Sequence, residues 1–256
     1  LLDLGTKGSG RTKFSRNGDG RLTLKGAVRE VLCSEYLNAL GVNTSRSISL
    51  IETGEKLYRN DEPSPTRSAV LVRASHSHIR IGSFQYQAYH RNTKNIESLI
   101  NYTCKNYFNL PASHNLELDF FHEVVDRLAM LAASYTVSGF VHGVLNTDNI
   151  NITGESFDYG PYRMLEYYDP EKIAAYFDHS GLYKFGNQAD AIFWNIQQLA
   201  SIMTIFIDKD QLIVLLKKYP NLYNKYLIKI LFKRLEIVMK SDNENQDLLK
   251  VFYELC

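Results

Sequence analysis

His142-Gly-Val-Leu-Asn-Thr-Asp-Asn149, followed nine positions later by Asp158-Tyr-Gly160, is the stretch of sequence on which the assignment of the fold depends. An amide oxygen from Asn149 and a carboxylate from Asp158 are the hard ligands that Mg²⁺ takes in proteins, usually beside phosphate oxygens. We therefore predict that these two side chains flank a short hairpin and hold a divalent cation. Asn-Asp and Asp-Tyr-Gly are also turn formers, so a solvated turn is the alternative interpretation.

Protein kinases hold Mg²⁺ in this way, with an Asn of the catalytic loop and the Asp of an Asp-Phe-Gly turn. The kinase loop reads His-Arg-Asp-x-x-x-x-Asn, and His142 and Asn149 keep its seven-residue separation. Val144, however, stands where the catalytic Asp belongs, and the nearby carboxylate is that of Asp148. The pattern indicates a kinase-like loop that lacks the usual base position.

The residues around this stretch predict a mostly helical portion. Apolar residues recur at helical spacing over a helix that ends near Ser138-Gly139, namely Phe121, Val124, Val125, Leu128, Leu131 and Ala132. Further helices are predicted over 188–206, 210–218, 223–239 and 245–255, and short strands over 151–153 and 163–165.

The first portion of the chain, to about residue 84, is marked by glycines and rich in strands. We predict strands at Leu1–Leu4, Ser47–Glu52 and Ala69–Arg73, and a helix from Thr23 to Ala39 that precedes Gly41. A small α+β region followed by a mostly helical region makes the predicted fold class α+β.

The glycine-rich segment Gly5–Thr12 is close to a P-loop but fails its requirements, because Arg11 replaces the Lys and turn-forming residues follow instead of a helix. The segment around Asp19 imitates a calcium loop, but Ser15 and Gly26 stand where two of its carboxylates belong. We predict neither site. A solvated glycine loop is the simpler interpretation.

Two arginines and two histidines lie just after the third predicted strand. The planar guanidinium groups of Arg73 and Arg80 suit phosphate oxygens, although a surface arginine and a structural ion pair would give the same pattern. His76 and His78 could ligate a metal from a strand, but we expect no carboxylate close by. We do not predict a metal site there.

Composition excludes several classes of function. The 256 residues carry 29 Lys+Arg against 28 Asp+Glu, a formal net charge of +1, which argues against an electrostatic nucleic-acid partner. With 45% hydrophobic residues the chain can build a core, yet no run approaches the ~20 apolar residues of a membrane span. Three widely spaced cysteines make no disulfide framework.

Taken together, these motifs resemble the selenoprotein O family, kinase-like proteins that transfer AMP from ATP to protein hydroxyls. The resemblance covers essentially the whole chain in the family's order. The matching runs are Lys-Gly-Ser-Gly-Arg-Thr (7–12), Phe-Ser-Arg (14–16), Gly-Asp-Gly-Arg (18–21), Val-Arg-Glu-Val-Leu-Cys-Ser-Glu (28–35), Ser-His-Ile-Arg-Ile-Gly (77–82), His-Gly-Val-Leu-Asn-Thr-Asp-Asn (142–149), Asp-Tyr-Gly-Pro (158–161) and Tyr-Asp-Pro (168–170).

The resemblance implies a protein-kinase-like two-lobe fold. Residues 1–84 would be the remainder of the N-lobe, without the strands of its glycine-rich loop, and residues 85–256 would be a helical C-lobe with the catalytic and metal-binding loops. We expect the chain to be the central part of a longer protein, because the family's upstream glycine-rich stretch and its C-terminal region have no counterpart here.

The resemblance also implies roles in binding the nucleotide. Lys7 would reach the ATP phosphates, and Glu30 would be its partner on the helix, a choice over Glu35 that periodicity alone does not make. Three further groups of residues would complete the nucleotide site: Asp19 and Gly20 would line it, Arg73 and Arg80 would hold the terminal phosphate, and Asp158 would also bind the nucleotide.

For the reaction itself, the resemblance implies that Asn149 and Asp158 ligate Mg²⁺ or Mn²⁺ and that Asp148 is the base. ATP would bind flipped relative to kinases, which presents the α-phosphate to the acceptor. The implied partners are proteins with hydroxyl side chains, with no nucleic acid or membrane. The implied compartment is the cytoplasm for a bacterial protein and the mitochondrion for eukaryotic members.

Three other functions stay open at this point. The missing base at Val144 favours a nucleotide-binding pseudokinase scaffold without catalysis. Transfer of UMP from UTP is a close variant of AMP transfer. A metal-dependent phosphohydrolase would use His142, Asp148, Asp158 and His179, but the second half of the chain lacks the compact His/Asp spacing typical of such sites.

Overall fold

The fold is α+β, as predicted. The computed structural model describes residues 2–13, 15, 18–111 and 113–255, and in these residues a four-stranded antiparallel sheet, a two-stranded sheet and eight α-helices are present. By its internal packing the chain divides into two units, which are Leu1–His78 with Glu155–Gly160, and Ile79–Gly154 with Pro161–Cys256. We refer to them as unit 1 and unit 2.

Unit 1 is built on one central strand. β4 (Thr66–Ser75) pairs on one edge with β1 (Asp3–Lys7) and β2 (Leu22–Thr23), and on the other edge with β3 (Arg46–Leu57). In this register Gly5 lies opposite Arg73 and Lys7 lies opposite Leu71, so these four residues share one face of the sheet. The predicted strand at Leu1–Leu4 lies further along the chain, at Asp3–Lys7, and Leu1 is outside the described residues.

Helix α1 (Leu24–Ala39) covers the sheet of unit 1 and confirms the predicted helix. Thr23 is its N-cap, and its hydroxyl accepts a hydrogen bond from Gly26 N at 3.1 Å, which satisfies one free amide of the first turn. The residues that α1 buries lie at helical spacing on one face, and they are Ala27, Glu30, Cys33, Ser34 and Leu37.

Unit 2 is helical apart from the short antiparallel pair β5 (Phe140–His142) and β6 (Tyr162–Met164). Its helices are α2 (Ile81–Tyr89), α3 (Thr93–Thr103), α4 (Leu116–Ser138), α5 (Gln188–Met203), α6 (Lys209–Leu216), α7 (Tyr219–Arg234) and α8 (Asp242–Leu255). α4 packs against α5 and α7 and confirms the predicted helix that ends near Gly139, whose φ of 63° forms the C-cap.

Several boundaries differ from the prediction. Helices α2 and α3 are absent from the sequence interpretation, and the predicted strand at 151–153 is an isolated bridge at Asn151 followed by a turn, so no hairpin forms there. α7 begins at Tyr219 rather than at residue 223, because Pro220 is compatible with a first helical turn. The predicted boundary between residues 84 and 85 falls inside α2 and stays a prediction.

Two further expectations concern cysteines and membranes. Cys33 and Cys104 are free and buried, whereas Cys256 lies outside the described residues. In the part of the chain that the structure describes, no helix combines the length and the apolar character that crossing a bilayer demands.

The core of unit 2 gives a first testable prediction. Phe121 on α4 is completely buried, so Phe121→Ala should lower the free energy of unfolding by about 3–5 kcal/mol through lost burial and a cavity. Urea denaturation followed by circular dichroism measures the change. Tyr89→Ala removes an aromatic side chain that is 84% exposed, and it should change the free energy by no more than about 0.5 kcal/mol. Equal midpoints for the two variants would contradict the assigned core.

Candidate functional site

A buried carboxylate joins strand β1 to helix α1 in unit 1. Lys7 ends β1, and its Nζ donates a hydrogen bond to Glu30 Oε1 at 2.6 Å. Glu30 lies on the buried face of α1 and is only 3% exposed, while Glu35 lies on the outside and pairs with Arg46. The helix therefore presents Glu30 to the sheet, and the proposed partner of Lys7 is the residue that the structure brings to it.

Lys7 has a second carboxylate neighbour, since Asp158 Oδ1 also accepts a hydrogen bond from its Nζ. Burial disfavours the charged ammonium, but the negative charges of Asp158 and Glu30 outweigh that effect and raise the pKa of Lys7 above its ordinary value. Lys7 is therefore a fixed positive charge in unit 1 and not a candidate base.

Asp158 is held in place by the backbone around it. It has a φ of 67°, a left-handed conformation that is uncommon for a residue with a side chain. Ser156 N donates to Asn43 O at 2.8 Å, and Ser45 N donates to Ser156 O at 2.9 Å. These bonds, two residues before Asp158, attach its segment to the chain that follows α1.

Arg73 contributes a largely buried cation to the same cluster. Its side chain is 13% exposed, it stacks over the ring of Phe157 at 5.1 Å, and its Nη1 lies 3.9 Å from Glu30 Oε2. Among the described residues, its Nε and Nη1 have no hydrogen-bond partner. Buried guanidinium donors without acceptors are costly, so this arrangement fits an anion with several acceptor oxygens, such as a phosphate group.

The predicted nucleotide-lining residues Asp19 and Gly20 lie in the glycine-rich loop of unit 1. Gly20 has a φ of 67°, and a Cβ there would collide with Gly10 O, so only glycine fits. Both carboxylate oxygens of Asp19 bind within the protein, to the backbone N of Arg21 and to the guanidinium of Arg59, and these contacts hold the pKa of Asp19 below its ordinary value.

Arg59 is a site residue that the sequence interpretation missed. It stands 40 positions from Asp19, after the end of β3, and no local pattern marks it. Residues 14, 16 and 17, including the Asn17 of the rejected calcium loop, lie outside the described residues.

In unit 2 the loop after β5 gathers the remaining predicted residues. Asp148 N donates to the side chain of Asn146 at 3.0 Å, and Arg80 Nη1 donates to the backbone O of Asp148 at 3.1 Å. The Asp148 carboxylate lies against Gly82, where a Cβ would collide with it. The structure thus brings Arg80 at the start of α2 next to the proposed base.

Asn149 is oriented by the residue that replaces the kinase aspartate. Its Nδ2 donates to Val144 O at 2.9 Å, so the amide nitrogen is fixed in the loop and Oδ1 remains as the acceptor end. An amide oxygen held in this way is the atom that a hard divalent cation needs. This geometry fits the predicted role of Asn149 as a metal ligand.

Two polar residues of α5 support the same loop and were also missed from the sequence. Gln188 accepts from His142 N at 2.8 Å and donates to Phe140 O at 2.7 Å, and Asn195 donates to Leu145 O at 2.7 Å. His142 is buried, and its Nδ1 accepts from Val144 N at 3.3 Å. His142 therefore shapes the loop, which argues against its use as a metal ligand in a phosphohydrolase.

The expectation that no carboxylate lies close to His76 and His78 is wrong. Glu155 is buried, its Oε2 accepts from His76 N at 2.6 Å, and its Oε1 lies 3.3 Å from His76 Nδ1. Burial raises the pKa of Glu155, while the contacts with His76 oppose that rise.

Within the described ranges, however, no three His, Cys, Asp or Glu side chains converge on a common metal position. Mg²⁺ does not require such a cluster, because substrate phosphates and water supply most of its ligands.

The predicted residues therefore form two sets. Unit 1 brings Lys7, Glu30, Arg73 and Asp158 into one cluster and carries Asp19 and Gly20 in the adjoining loop. Unit 2 brings together Arg80, Asp148 and Asn149. The first set can bind an anion, and the second can supply a carboxylate and an amide oxygen.

Comparison with known proteins identifies relatives of the whole chain. The family model described as "Protein adenylyltransferase SelO" matches residues 1–256. The chain is 48% identical over 241 residues to the protein nucleotidyltransferase YdiU of Synechocystis sp., which covers 93% of this chain and 50% of that protein. It is 45% identical over 260 residues to the protein of the same name from Trichodesmium erythraeum, an alignment that covers 98% of this chain and 55% of that protein. It is 40% identical over 211 residues to the protein of that name from Shouchella clausii, which covers 82% of this chain and 43% of that protein. The chain thus spans about half the length of these relatives.

The charge cluster of unit 1 gives a second prediction. Asp158→Asn removes one of the two carboxylates that stabilise the Lys7 ammonium, so the pKa of Lys7 should fall. At a fixed alkaline pH, a larger fraction of Lys7 would then be the free amine, and its acylation by an amine reagent, followed by peptide mass spectrometry, should become faster.

Lys25 on the same unit is exposed and serves as the internal control, with an unchanged rate in the variant. A Lys7 that reacts at the wild-type rate in Asp158→Asn would show that the Asp158 carboxylate does not act on it.

Proposed function

Because the chain belongs to the protein adenylyltransferase SelO family, we propose that it transfers AMP from ATP to the hydroxyl groups of Ser, Thr or Tyr side chains in proteins. The single observation that carries this proposal is the largely buried Arg73, whose Nε and Nη1 have no hydrogen-bond partner among the described residues. Arg73 shares the Glu30 carboxylate with the ammonium of Lys7. A triphosphate supplies the acceptors that such donors need.

The position of these cations supports the proposed orientation of ATP. Lys7 and Arg73 lie on one face of the sheet, around the buried Glu30. If they hold the terminal phosphates, with Arg80 contributing from unit 2, the β- and γ-phosphates are stabilised as a leaving group and the α-phosphate is the reactive one. An ordinary kinase needs the opposite orientation, with the γ-phosphate toward the acceptor.

The proposed reaction is one displacement at phosphorus. The acceptor hydroxyl oxygen forms a bond to the α-phosphorus, the bond from that phosphorus to the oxygen bridging to the β-phosphate breaks, and pyrophosphate leaves with that electron pair. Asp148 takes the hydroxyl proton. Positioning and electrostatic stabilisation carry most of such a reaction, so a carboxylate at Asp148 can serve although Val144 occupies the usual base position.

Mg²⁺ or Mn²⁺, held by Asn149 and Asp158, would offset the charge that develops on the phosphate oxygens. Asp158 already accepts a hydrogen bond from Lys7, and this contact orients its carboxylate. We also propose that the two units correspond to the two lobes of a kinase-like fold. The proposed binding partner of the chain is the acceptor protein.

A nucleotide-binding scaffold without catalysis is the second candidate, and Val144 is the observation that favours it. Its backbone groups bind His142 and Asn149, so the loop keeps its form without any carboxylate at this position. Such a loop could hold a nucleotide and transfer nothing. UMP transfer from UTP is a variant of the first proposal, and the name protein nucleotidyltransferase, which the relatives carry, covers both nucleotides.

Radiolabelled nucleotides test the reaction. When ATP labelled on the α-phosphate is incubated with a mixture of candidate acceptor proteins, the label should become covalently attached to protein. When the ATP is labelled on the γ-phosphate, no label should be attached to protein. The chemistry predicts one pyrophosphate released for each AMP transferred.

Label that arrives only from the γ-phosphate would identify a kinase instead. Nucleotide binding with no label from either ATP or UTP, unchanged by Asp148→Ala, would favour the scaffold.

Arg73 gives a prediction about nucleotide affinity. Arg73→Ala removes charged donors for the terminal phosphates, so the Kd for ATP should rise about 10- to 100-fold, while the Kd for AMP should change much less. Isothermal titration calorimetry measures both. Arg46→Ala is the matched control, since Arg46 is an exposed arginine of unit 1 paired with Glu35, and it should change neither affinity. Equal losses for ATP and AMP in Arg73→Ala would contradict the assigned role.

A further inference from the structure

The last segment of unit 1, Glu155–Gly160, carries the proposed metal ligand Asp158 and is attached to the end of β4 by a buried carboxylate. We propose that Glu155 is a positioning residue, which holds this segment and with it the Asp158 carboxylate next to Lys7. This inference rests on the proposed function, because it concerns how a metal-binding residue of unit 1 is placed.

Glu155 supplies an acceptor at the point where the sheet of unit 1 ends. Ser75 is the last residue of β4 that pairs with another strand, so the next backbone amide, that of His76, has no strand partner in the described part of the sheet. Glu155 Oε2 accepts a hydrogen bond from His76 N at 2.6 Å, and the backbone amide of Ser77 also bonds to this carboxylate. Because Glu155 is only 2% exposed, these amides take the place of water.

The two residues that follow Glu155 attach the segment to two different supports. Ser156 binds the backbone of the chain after α1, while Phe157 lies under the guanidinium of Arg73 on β4 at 5.1 Å. A stacked ring can slide, whereas hydrogen bonds to a buried carboxylate have fixed lengths and directions. Glu155 is therefore the contact that sets the position of the segment relative to the end of β4.

Asp158 follows three residues later and depends on this attachment. Its carboxylate accepts a hydrogen bond from Lys7, which lies on β1 and is fixed to β4 by the strand pairing. Both partners of this contact are thus held by β4, one through β1 and the other through Glu155. The left-handed backbone of Asp158, with a φ of 67°, leaves few alternative conformations, so a shift of the segment would move the carboxylate away from Lys7.

Two substitutions at Glu155 separate its acceptor from its bulk. Glu155→Met keeps the length of the side chain and removes both oxygens, whereas Glu155→Gln keeps an oxygen for the His76 amide. With neither nucleotide nor metal present, acylation of Lys7 at a fixed alkaline pH should be faster in Glu155→Met than in the wild-type protein and slower than in Asp158→Asn, because a displaced carboxylate stabilises the ammonium less. Glu155→Gln should react at close to the wild-type rate.

The Mg²⁺ dependence of AMP transfer gives a second readout. Glu155→Met should raise the Mg²⁺ concentration at half-maximal rate about 10-fold, because residues that orient a metal ligand have effects of this size, while kcat at saturating Mg²⁺ should change little. A residue that only stabilised the fold would lower kcat through the fraction of active protein and leave the Mg²⁺ requirement unchanged. Glu155→Gln should restore the wild-type requirement.

Two further variants are the matched controls. His76→Ala removes a ring that is 60% exposed and lies at the longer distance of 3.3 Å, but it keeps the backbone amide that binds Glu155. Glu52→Ala removes another carboxylate of unit 1, which pairs with the exposed Arg67. Both controls should keep the wild-type rate of Lys7 acylation and the wild-type Mg²⁺ requirement.

Hydrogen exchange in the wild-type protein tests the anchor without any substitution. The His76 amide should be protected from exchange although it lies beyond the last strand pair, because it donates to a buried carboxylate. A His76 amide that exchanges as fast as an unprotected backbone amide would overturn the inference, whether or not the variants fold.

Two results from the variants would overturn it as well. A wild-type rate of Lys7 acylation in Glu155→Met would show that Asp158 keeps its place without the anchor. A Glu155→Gln variant that behaves like Glu155→Met would show that the acceptor is not the feature that matters.

The readouts on Lys7 and His76 need no nucleotide, so they separate this inference from the proposed function. If the wild-type protein transfers no AMP while both residues respond as expected, the proposed function fails but the anchor stands. If AMP transfer is measured while Lys7 acylation is the same in Glu155→Met and the wild-type protein, the anchor fails but the proposed function stands.

Discussion

The interaction on which unit 1 depends is the pairing of the buried Glu30 carboxylate with the Lys7 ammonium. A buried carboxylate is tolerated only when it is paired, and here Lys7 lies at 2.6 Å with the Arg73 guanidinium at 3.9 Å. This requirement fixes the rotation of α1, the register of β1 against β4, and the side of the sheet on which Arg73 lies. Asp158 then adds a second carboxylate to Lys7, so the cluster has two positive and two negative charges.

Although the formal charges of the cluster balance, some of its hydrogen-bond donors lack acceptors. The two carboxylates converge on Lys7, whereas two buried nitrogens of Arg73 have no acceptor in the described part of the chain. A protein under selection for stability alone would pair these nitrogens or replace them with apolar groups. Buried hydrogen-bond donors without acceptors are typical of a functional position, where a ligand supplies the missing acceptor.

The sequence predicts the elements that carry strong periodicity. α1 and α4 follow from apolar residues at helical spacing, and β3 and β4 follow from short runs that contain β-branched residues. The prediction omits α3, although Ile96, Ile100 and Thr103 lie at helical spacing on its buried face. α2 gave little signal, since it is nine residues long and has an arginine at its N-cap.

Long-range pairs are the part of the site that no local pattern could give. The Asp19–Arg59 and His76–Glu155 contacts join residues 40 and 79 positions apart. The choice of Glu30 over Glu35 rests on the family resemblance and not on periodicity, for a related reason. Both lie on a helix with an exposed apolar stripe, including Leu32 and Tyr36, so hydrophobicity alone does not identify the buried face.

The loop after β5 shows how a loop with the kinase spacing of His and Asn keeps its form without the catalytic Asp. In a kinase the catalytic Asp orients the hydroxyl, but here Val144 contributes only its backbone, to His142 and Asn149. The loop is supported from α5 by Gln188 and Asn195, so its form does not depend on a carboxylate at Val144. Because these bonds hold the loop, the base can stand at another position along it, and the proposed base is Asp148. The proposed chemistry requires a set of charges that would hold the phosphates, and unit 1 carries such charges on Lys7 and Arg73.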